Sequence, residues 1–141
     1  MTGIGFTGTQ AGLTLAQWQT LKDTLGTVKQ KMFHHGDCVG ADEQADSIAK
    51  ALEFKIVIHP PVDSGKRAFC TANVMWAKKP YLERNHDIVD TTDGLIACPK
   101  EFEEVMRSGT WATIRYATKK GKPVFIIWPD GSSNLVFRMG Y

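Results

Sequence analysis

The chain has 141 residues, of which 43% are hydrophobic and 23% charged, and its formal net charge is +2. This composition is typical of a globular protein and predicts one domain over residues 1–141, because disordered chains combine low hydrophobicity with high net charge. We expect neither a membrane-spanning helix, which needs roughly 20 apolar residues, nor a signal peptide, and the small net charge argues against a nucleic-acid partner.

Short apolar runs alternate with amphipathic helical patterns along the chain. Runs that end at Gly or Pro predict five strands, at residues 3–8, 32–35, 55–59, 94–98 and 124–128. Apolar spacings of three and four predict four helices, at residues 14–28, 41–52, 81–90 and 110–120. Thr14 and Gln17 form a predicted capping box. We expect a short helix near 68–77 and, at 135–139, an extra strand or a packed arm.

This alternation is typical of an α/β fold, here a Rossmann-like three-layer sandwich with a mostly parallel sheet of about five strands. Because crossovers between parallel strands are right-handed, the loop after each strand emerges at the same edge of the sheet. Four loops should therefore converge where open α/β sheets bind ligands, namely residues 8–10, 36–40, 59–61 and 99–110.

The first glycines match the dinucleotide fingerprint in letters, as Gly3-x-Gly5-x-x-Gly8. In that fingerprint the glycines follow a strand and open a helix, whereas here they lie within the predicted strand. We therefore expect no NAD site and no cofactor. Gly8, Thr9 and Gln10 stand at the strand's end and are predicted to contact a ligand, with a simple turn as the alternative.

The loop after the second strand contains Gly36, Asp37, Gly40 and Asp42. Its glycines allow the backbone to approach a ligand closely, so all four residues are predicted ligand contacts. Asp37 could bind sugar hydroxyls or act on a glycosidic carbon, or it could stabilise the turn. Asp42 could instead cap the following helix.

Ser108, Gly109 and Thr110 precede a predicted helix, and this pattern is typical of phosphate binding at a helix N-terminus. An ordinary Ser/Thr cap is the alternative. Arg84 and Asn85 offer a cation and an amide to the same ligand, although alone they resemble a solvated helix face.

Metal and disulfide chemistry find little support in the sequence. Cys38, Cys70 and Cys98 are odd in number and form no C-x-x-C pair, which favours a reducing, cytoplasmic compartment. His34-His35 with Cys38 lacks the further ligands that zinc needs, so we expect no metal. The tryptophans are predicted to lie in the core or at an interface more often than against a base.

Five short motifs follow one another in a fixed order: Gly36-Asp37-x-x-Gly40-Ala41-Asp42, Arg84-Asn85, Asp93-Gly94-Leu95-Ile96-Ala97, Gly109-Thr110 and Gly121-Lys122-Pro123-Val124. Over residues 3–128 this order resembles the SLOG superfamily, which contains the DprA-like and LOG proteins. The resemblance implies a Rossmann-like sheet with a nucleotide or nucleotide-derived ligand at its carboxyl edge. It also implies assembly into homodimers or larger homo-oligomers.

The chain departs from the catalytic motif of LOG-type phosphoribohydrolases, Gly-Gly-x-Gly-Thr-x-x-Glu. Aligned on Gly109 and Thr110, its paired glycines become Met106 and Arg107, and its glutamate becomes Thr113. Hydrolysis of an N-glycosidic bond would then need another acid, for which Asp37 and Glu83 are the candidates. The phosphate-binding half of the motif is better preserved than the catalytic half.

We therefore predict a protein that binds, and so senses or sequesters, a nucleotide-derived small molecule such as an ADP-ribose-type signalling nucleotide. Such a binder would suit a phage or mobile-element protein that acts against nucleotide-signalled defence. The alternative is an N-glycosidase or phosphoribohydrolase acting on a nucleoside monophosphate or related nucleotide. DNA binding by analogy with DprA is disfavoured by the near-neutral charge.

Overall fold

The structure is a computed structural model that describes residues 3–29 and 31–136. Seven strands occur in these residues: β1 (Ile4–Gly8), β2 (Met32–His35), β3 (Lys55–Ile58), β4 (Val74–Met75), β5 (Gly94–Cys98), β6 (Val124–Ile127) and β7 (Ser133–Val136). Four helices accompany them: α1 (Leu15–Thr27), α2 (Ala41–Ala51), α3 (Tyr81–Asp90) and α4 (Gly109–Lys119).

All seven strands belong to one sheet, in the order β4-β3-β2-β1-β5-β6-β7. Every neighbouring pair is parallel except β6 with β7. From β1 the chain builds outward through β2, β3 and β4, and then returns to place β5 on the other side of β1. The strand order thus reverses between β1 and β5, and open α/β sheets bind ligands outside the carboxyl ends of the strands at such a reversal.

The sheet is covered on both faces, as the alternation of strands and helices predicts. In β5, Ile96 and Cys98 join the core beneath α1 and α2, whereas Leu95 and Ala97 join the core beneath α3 and α4. Successive side chains of a strand point to opposite faces, so this short apolar run supplies both cores.

Helix α1 begins with the predicted capping box, in which Thr14 Oγ1 accepts from the Gln17 backbone and the Gln17 side chain accepts from the Thr14 backbone. Leu21 and Leu25 are completely buried, whereas Leu15, an apolar residue of the same helix, is 84% exposed. Gln17 takes the inward position, and its Nε2 donates to the carbonyls of Pro99 (2.8 Å) and Ile127 (3.0 Å). An amide in the core thereby holds the ends of β5 and β6 together.

The predicted α/β fold with a mostly parallel sheet is confirmed. The sheet has seven strands in the described residues, slightly more than the five or so expected, because β4 and β7 are short additions at its two edges. One sequence prediction about secondary structure is wrong: the helix expected near 68–77 does not form. Instead the chain lies extended beside β3, with Asn73 N donating to Ile56 O (2.9 Å) and Trp76 N donating to Ile58 O (2.9 Å). Long-range pairing with a sheet edge overrides the local helical pattern.

The predicted tail element at 135–139 lies partly in β7, and its residues from 137 onward lie outside the described part of the chain. Within that described part, no helix is long and apolar enough to cross a membrane.

Candidate functional site

A cleft of about 580 Å³ opens at the carboxyl ends of β1 and β5, where the strand order reverses. One wall comes from the loop after β1, and the other comes from the β5–α4 loop and the first turn of α4. The residues that line the cleft are Thr9, Gln10, Ala11, Tyr81, Lys100, Glu101, Val105, Arg107, Ser108, Gly109 and Thr110. Two of the four loops predicted to converge, residues 8–10 and 99–110, therefore do face one another across the cleft.

The first turn of α4 presents donors to this cleft. Ser108 is the N-cap, and its Oγ accepts from the Trp111 backbone N–H at 3.2 Å. The N–H groups of Gly109 and Thr110 come before the first carbonyl-paired residue of the helix, so they have no partner within it. Lys100 and Arg107 line the same cleft. Helix N–H groups, the positive end of the helix dipole and two cations together make a wall that favours an anion.

The opposite wall is held rigidly by its backbone. Thr9 N donates to Cys98 O (3.1 Å), and Thr9 O accepts from Ala41 N (3.0 Å), so the loop after β1 is fixed to both β5 and α2. Gly40 has φ +88°, and a Cβ there would overlap the backbone of Gln10. This glycine allows α2 to begin directly behind the cleft wall. Gly40 therefore supports the shape of the cleft, whereas the sequence predicted that it contacts the ligand.

Tyr81, at the start of α3, closes the cleft toward the interior. Its hydroxyl accepts from Gln10 Nε2 at 3.0 Å and lies 3.6 Å from Cys38 Sγ. Burial, followed by the neighbouring Cys38, raises the pKa of Tyr81 to about 12. The side chain is therefore a neutral phenol whose hydroxyl contacts the loops after β1 and β2.

Behind Tyr81 lies a cavity of about 20 Å³ lined by Gly36, Cys38, Asp42, Arg84 and Asn85, among others. A polar cavity of this size has room for about one water molecule. The fold therefore brings four predicted site residues together beside the cleft rather than in it, namely Gly36, Asp42, Arg84 and Asn85.

Arg84 is only 2% exposed, and its guanidinium donates to four protein acceptors. They are Asn85 Oδ1 (2.6 Å), Gly36 O, His59 O (3.0 Å) and Cys38 Sγ (3.2 Å). A Cβ at Gly36 would lie 2.6 Å from Arg84 Cζ, so the glycine makes room for the guanidinium. This arginine joins the carboxyl ends of β2 and β3, which gives it a structural role in the absence of ligand.

Asp37 is fully buried and has φ +59°. Its Oδ2 accepts from Arg67 Nε (2.7 Å), its Oδ1 accepts from Cys70 N (2.9 Å), and its carbonyl accepts from Ala68 N (2.7 Å). Both carboxylate oxygens thus anchor the segment 62–80, which we call the strap. Asp37 does not line the cleft, and the stabilised turn is the interpretation that this geometry favours.

The other acids divide between surface, interior and cleft. Glu83, the second predicted catalytic candidate, is exposed on α3 and does not line the cleft. Asp42 is 6% exposed, its Oδ2 accepts from Cys38 N (3.1 Å), and burial raises its pKa. Glu101 does line the cleft, with Oε1 accepting from Trp111 Nε1 at 3.1 Å.

One cluster has the donor types of a metal site: His35, Asp46 and Cys70 have ligand atoms within 4.8 Å of one another. The backbone N–H of Asp37 donates to His35 Nδ1 (2.9 Å), which places the ring proton on Nε2, where it donates to Asp46 Oδ1 (2.9 Å). Despite burial, hydrogen bonds from His35 and Lys50 lower the pKa of Asp46. This cluster is a satisfied hydrogen-bond chain in which Nε2 has no lone pair for a metal.

Sequence reasoning named the loop that contributes Lys100, Glu101 and Arg107 but assigned these side chains no role. Their signal was available, because five charged residues, these three with Glu103 and Glu104, separate an apolar strand from a Ser/Thr-capped helix. Tyr81 was hidden by its neighbours, since it reads as the first residue of an ordinary amphipathic helix.

Solved structures of the same fold include a molybdenum cofactor binding protein from the phototrophic bacterium Rippkaea orientalis, with a TM-score of 0.68 and 22% sequence identity over 89% of this chain and 75% of that one. The structural-genomics target TM1055 has a TM-score of 0.63 and 18% identity over 88% of this chain and 72% of that one. DNA processing protein A (DprA) from Streptococcus pneumoniae has a TM-score of 0.64 and 17% identity over 89% of this chain and 50% of that one. The chain thus spans half the length of DprA.

No protein-family model matches the sequence, and neither does any curated protein. The structural likeness therefore reports on architecture. The chain has a Rossmann-like fold, which it shares with these three proteins.

Proposed function

We propose that the protein binds a nucleotide-derived small molecule, of which an ADP-ribose-type signalling nucleotide is the leading example. One observation carries the proposal: the cleft at the strand-order reversal is bounded by the unpaired first turn of α4 and by the cations Lys100 and Arg107. A phosphate placed there would receive the N–H groups of Gly109 and Thr110 and the hydroxyls of Ser108 and Thr110.

The positions of the acids favour binding over hydrolysis. Cleavage of an N-glycosidic bond needs a carboxylate close to the sugar, to stabilise cationic character or activate water. Both carboxylate oxygens of Asp37 accept hydrogen bonds from the strap, and Glu83 lies outside the cleft. The sugar and the rest of the ligand would extend from the α4 wall toward Thr9 and Gln10.

Glu101 supports the second candidate, an N-glycosidase or phosphoribohydrolase. Among the cleft-lining residues of the described chain it is the one carboxylate, and it lies in the loop that leads to the phosphate wall. Its hydrogen bond from Trp111 fixes one oxygen and leaves the other for water or a sugar hydroxyl.

Mass spectrometry distinguishes the two functions. The protein is incubated at sub-stoichiometric amounts with nucleoside monophosphates, ADP-ribose and cyclic ADP-ribose isomers, and both the mixture and the heat-released ligand are analysed. Recovery of intact ligand supports sequestration. Accumulation of free base with ribose phosphate supports hydrolysis and is then abolished by Glu101→Gln.

We also propose that the protein forms homo-oligomers. Exposed apolar side chains on α3 and in the β5–α4 loop support this, namely Leu82 (58% exposed), Phe102 (59%) and Met106 (75%). Large exposed apolar patches typically mark interaction surfaces. Light scattering after size-exclusion chromatography should report at least a dimer, and Met106→Glu should shift it toward monomer.

A further inference from the structure

Tyr81 is the one aromatic residue among the cleft-lining residues in the part of the chain that the structure describes. It is 40% exposed. Three tryptophan rings pack against other side chains: Trp76 packs on His59 (ring centroids 4.6 Å apart) and Trp111 packs on Trp128 (5.9 Å). Any π-face that the cleft offers to a ligand is therefore the ring of Tyr81.

The ring is held in place from two sides. Its hydroxyl accepts a hydrogen bond from Gln10 Nε2, in the loop after β1 (3.0 Å). The Arg84 guanidinium carbon lies 4.4 Å from the ring centroid, and this guanidinium is itself fixed by the ends of β2 and β3. A fixed ring loses little conformational entropy when a ligand stacks on it, so its contact area converts efficiently into affinity.

The ring also lies directly beside the anion-binding wall. A Cβ added to Gly109 would be 3.3 Å from Tyr81 Cε1, so the first turn of α4 touches the edge of the ring. An aromatic surface and a phosphate-binding turn are thus available to the same small molecule. Nucleotides carry both an anion and a flat π-system, whereas sugar phosphates carry only the anion.

We propose that Tyr81 is the base-recognition residue of the cleft: a nucleobase stacks on the ring surface that Arg84 leaves open, while its phosphate binds at Gly109 and Thr110. This inference rests on the proposed nucleotide-binding function and narrows its ligand class to phosphates that carry an aromatic base. Base–aromatic stacking stabilises binding by about 1–3 kcal/mol per base, which corresponds to at least about a fivefold change in Kd.

The test compares AMP and ADP-ribose with ribose 5-phosphate by isothermal titration calorimetry. The unmodified protein should bind the better adenine nucleotide at least about fivefold more tightly than ribose 5-phosphate. Tyr81→Leu should remove that advantage and leave the Kd for ribose 5-phosphate unchanged. Tyr81→Phe, which keeps the ring, should retain the advantage. Tyr116→Leu serves as the matched control, because Tyr116 stacks on His86 away from the cleft.

The outcomes separate this inference from the proposed function. If the unmodified protein binds ribose 5-phosphate as tightly as the nucleotides, or if Tyr81→Leu weakens all three ligands equally, Tyr81 does not recognise a base, although phosphate binding stands. If none of the three binds the unmodified protein, both proposals fail. The first comparison needs no variant, so the inference remains testable even if Tyr81→Leu does not fold.

Discussion

Two regions at the carboxyl edge of the sheet are both rich in polar groups, but they differ in whether those groups already have hydrogen-bond partners within the protein. In the region around the end of β2, these groups are paired within the protein. Arg84 donates to the carbonyls of Gly36 and His59, and the Asp37 carboxylate accepts from the strap. At the first turn of α4, backbone donors and the cations Lys100 and Arg107 face an open cleft. Polar residues at strand ends therefore divide into those that build the site and those left for a ligand.

Arg84→Ala should have the largest effect. Removing a guanidinium that donates to two buried carbonyls and a thiol leaves those acceptors unpaired, which should lower the free energy of unfolding by about 4 kcal/mol. Urea denaturation measures this change. Arg107→Ala, at the rim of the cleft, is the matched control and should change stability by less than about 0.5 kcal/mol while weakening phosphate binding. Equal stability of both variants would remove the distinction between the two regions.

Asp37→Asn should have the next largest effect. It leaves the Arg67 guanidinium, whose side chain is 10% exposed, without its counter-charge, and breaking such a pair costs about 3 kcal/mol. Hydrogen exchange should accelerate across the strap, whereas ligand affinity stays close to that of the unmodified protein. A variant of normal stability that had lost cleavage of a nucleotide would instead make Asp37 catalytic.

Acidification should destabilise the protein through His59, whose carbonyl accepts from Arg84. Burial, followed by the charges of His34, Arg84, His35 and Lys79, lowers the pKa of His59 to about 3. Because its folded-state pKa lies below the unfolded value of about 6.5, the stability contribution is complete above pH 6.5 and is lost as pH falls toward 3. The loss at pH 5 should be about 2 kcal/mol. Denaturation at pH 7 and pH 5 should show this slope, and His59→Phe should flatten it; an unchanged slope would assign the titration to another group.

The smallest effect should come from Thr110→Val, which removes one hydroxyl from the cleft at nearly constant volume. We expect the Kd for AMP to rise by about fivefold, corresponding to about 1 kcal/mol for one hydrogen bond. The melting temperature should stay nearly unchanged. Thr118→Val, at the other end of α4, controls for removal of a hydroxyl from the helix. A large loss of stability without a change in Kd would mean that the Thr110 hydroxyl stabilises the fold and does not contact the ligand.

The architecture could be predicted from sequence because it depends on local signals. β-branched runs ended by Gly or Pro, as at 55–59, and helical spacing with the Thr14–Gln17 box each specify an element without reference to distant residues. The strap could not be predicted in this way. Its extended path depends on pairing with β3 and on Asp37, neither of which has a mark in the local pattern of residues 62–80.

The convergence of the loops at the candidate site could be predicted from the sequence. Which polar side chains bond within the protein and which face the cleft could not. Right-handed crossovers bring the loops after β1 and β5 to one edge whatever their side chains are. Whether Arg84 meets a ligand or the protein depends on the carbonyls of Gly36 and His59, which are 48 and 25 residues away. No spacing rule in the sequence specifies such partners.

The sequence by itself determined an α/β sheet, the order of its motifs and the edge of the sheet at which its loops converge, because hydrophobic periodicity and the handedness of crossovers are properties of the chain. The tertiary structure alone decided that Asp37 and Arg84 hold the framework, and that Tyr81, Lys100 and Arg107 border the open cleft. The physical reason is that a polar side chain is available to a ligand only if no distant segment satisfies it first.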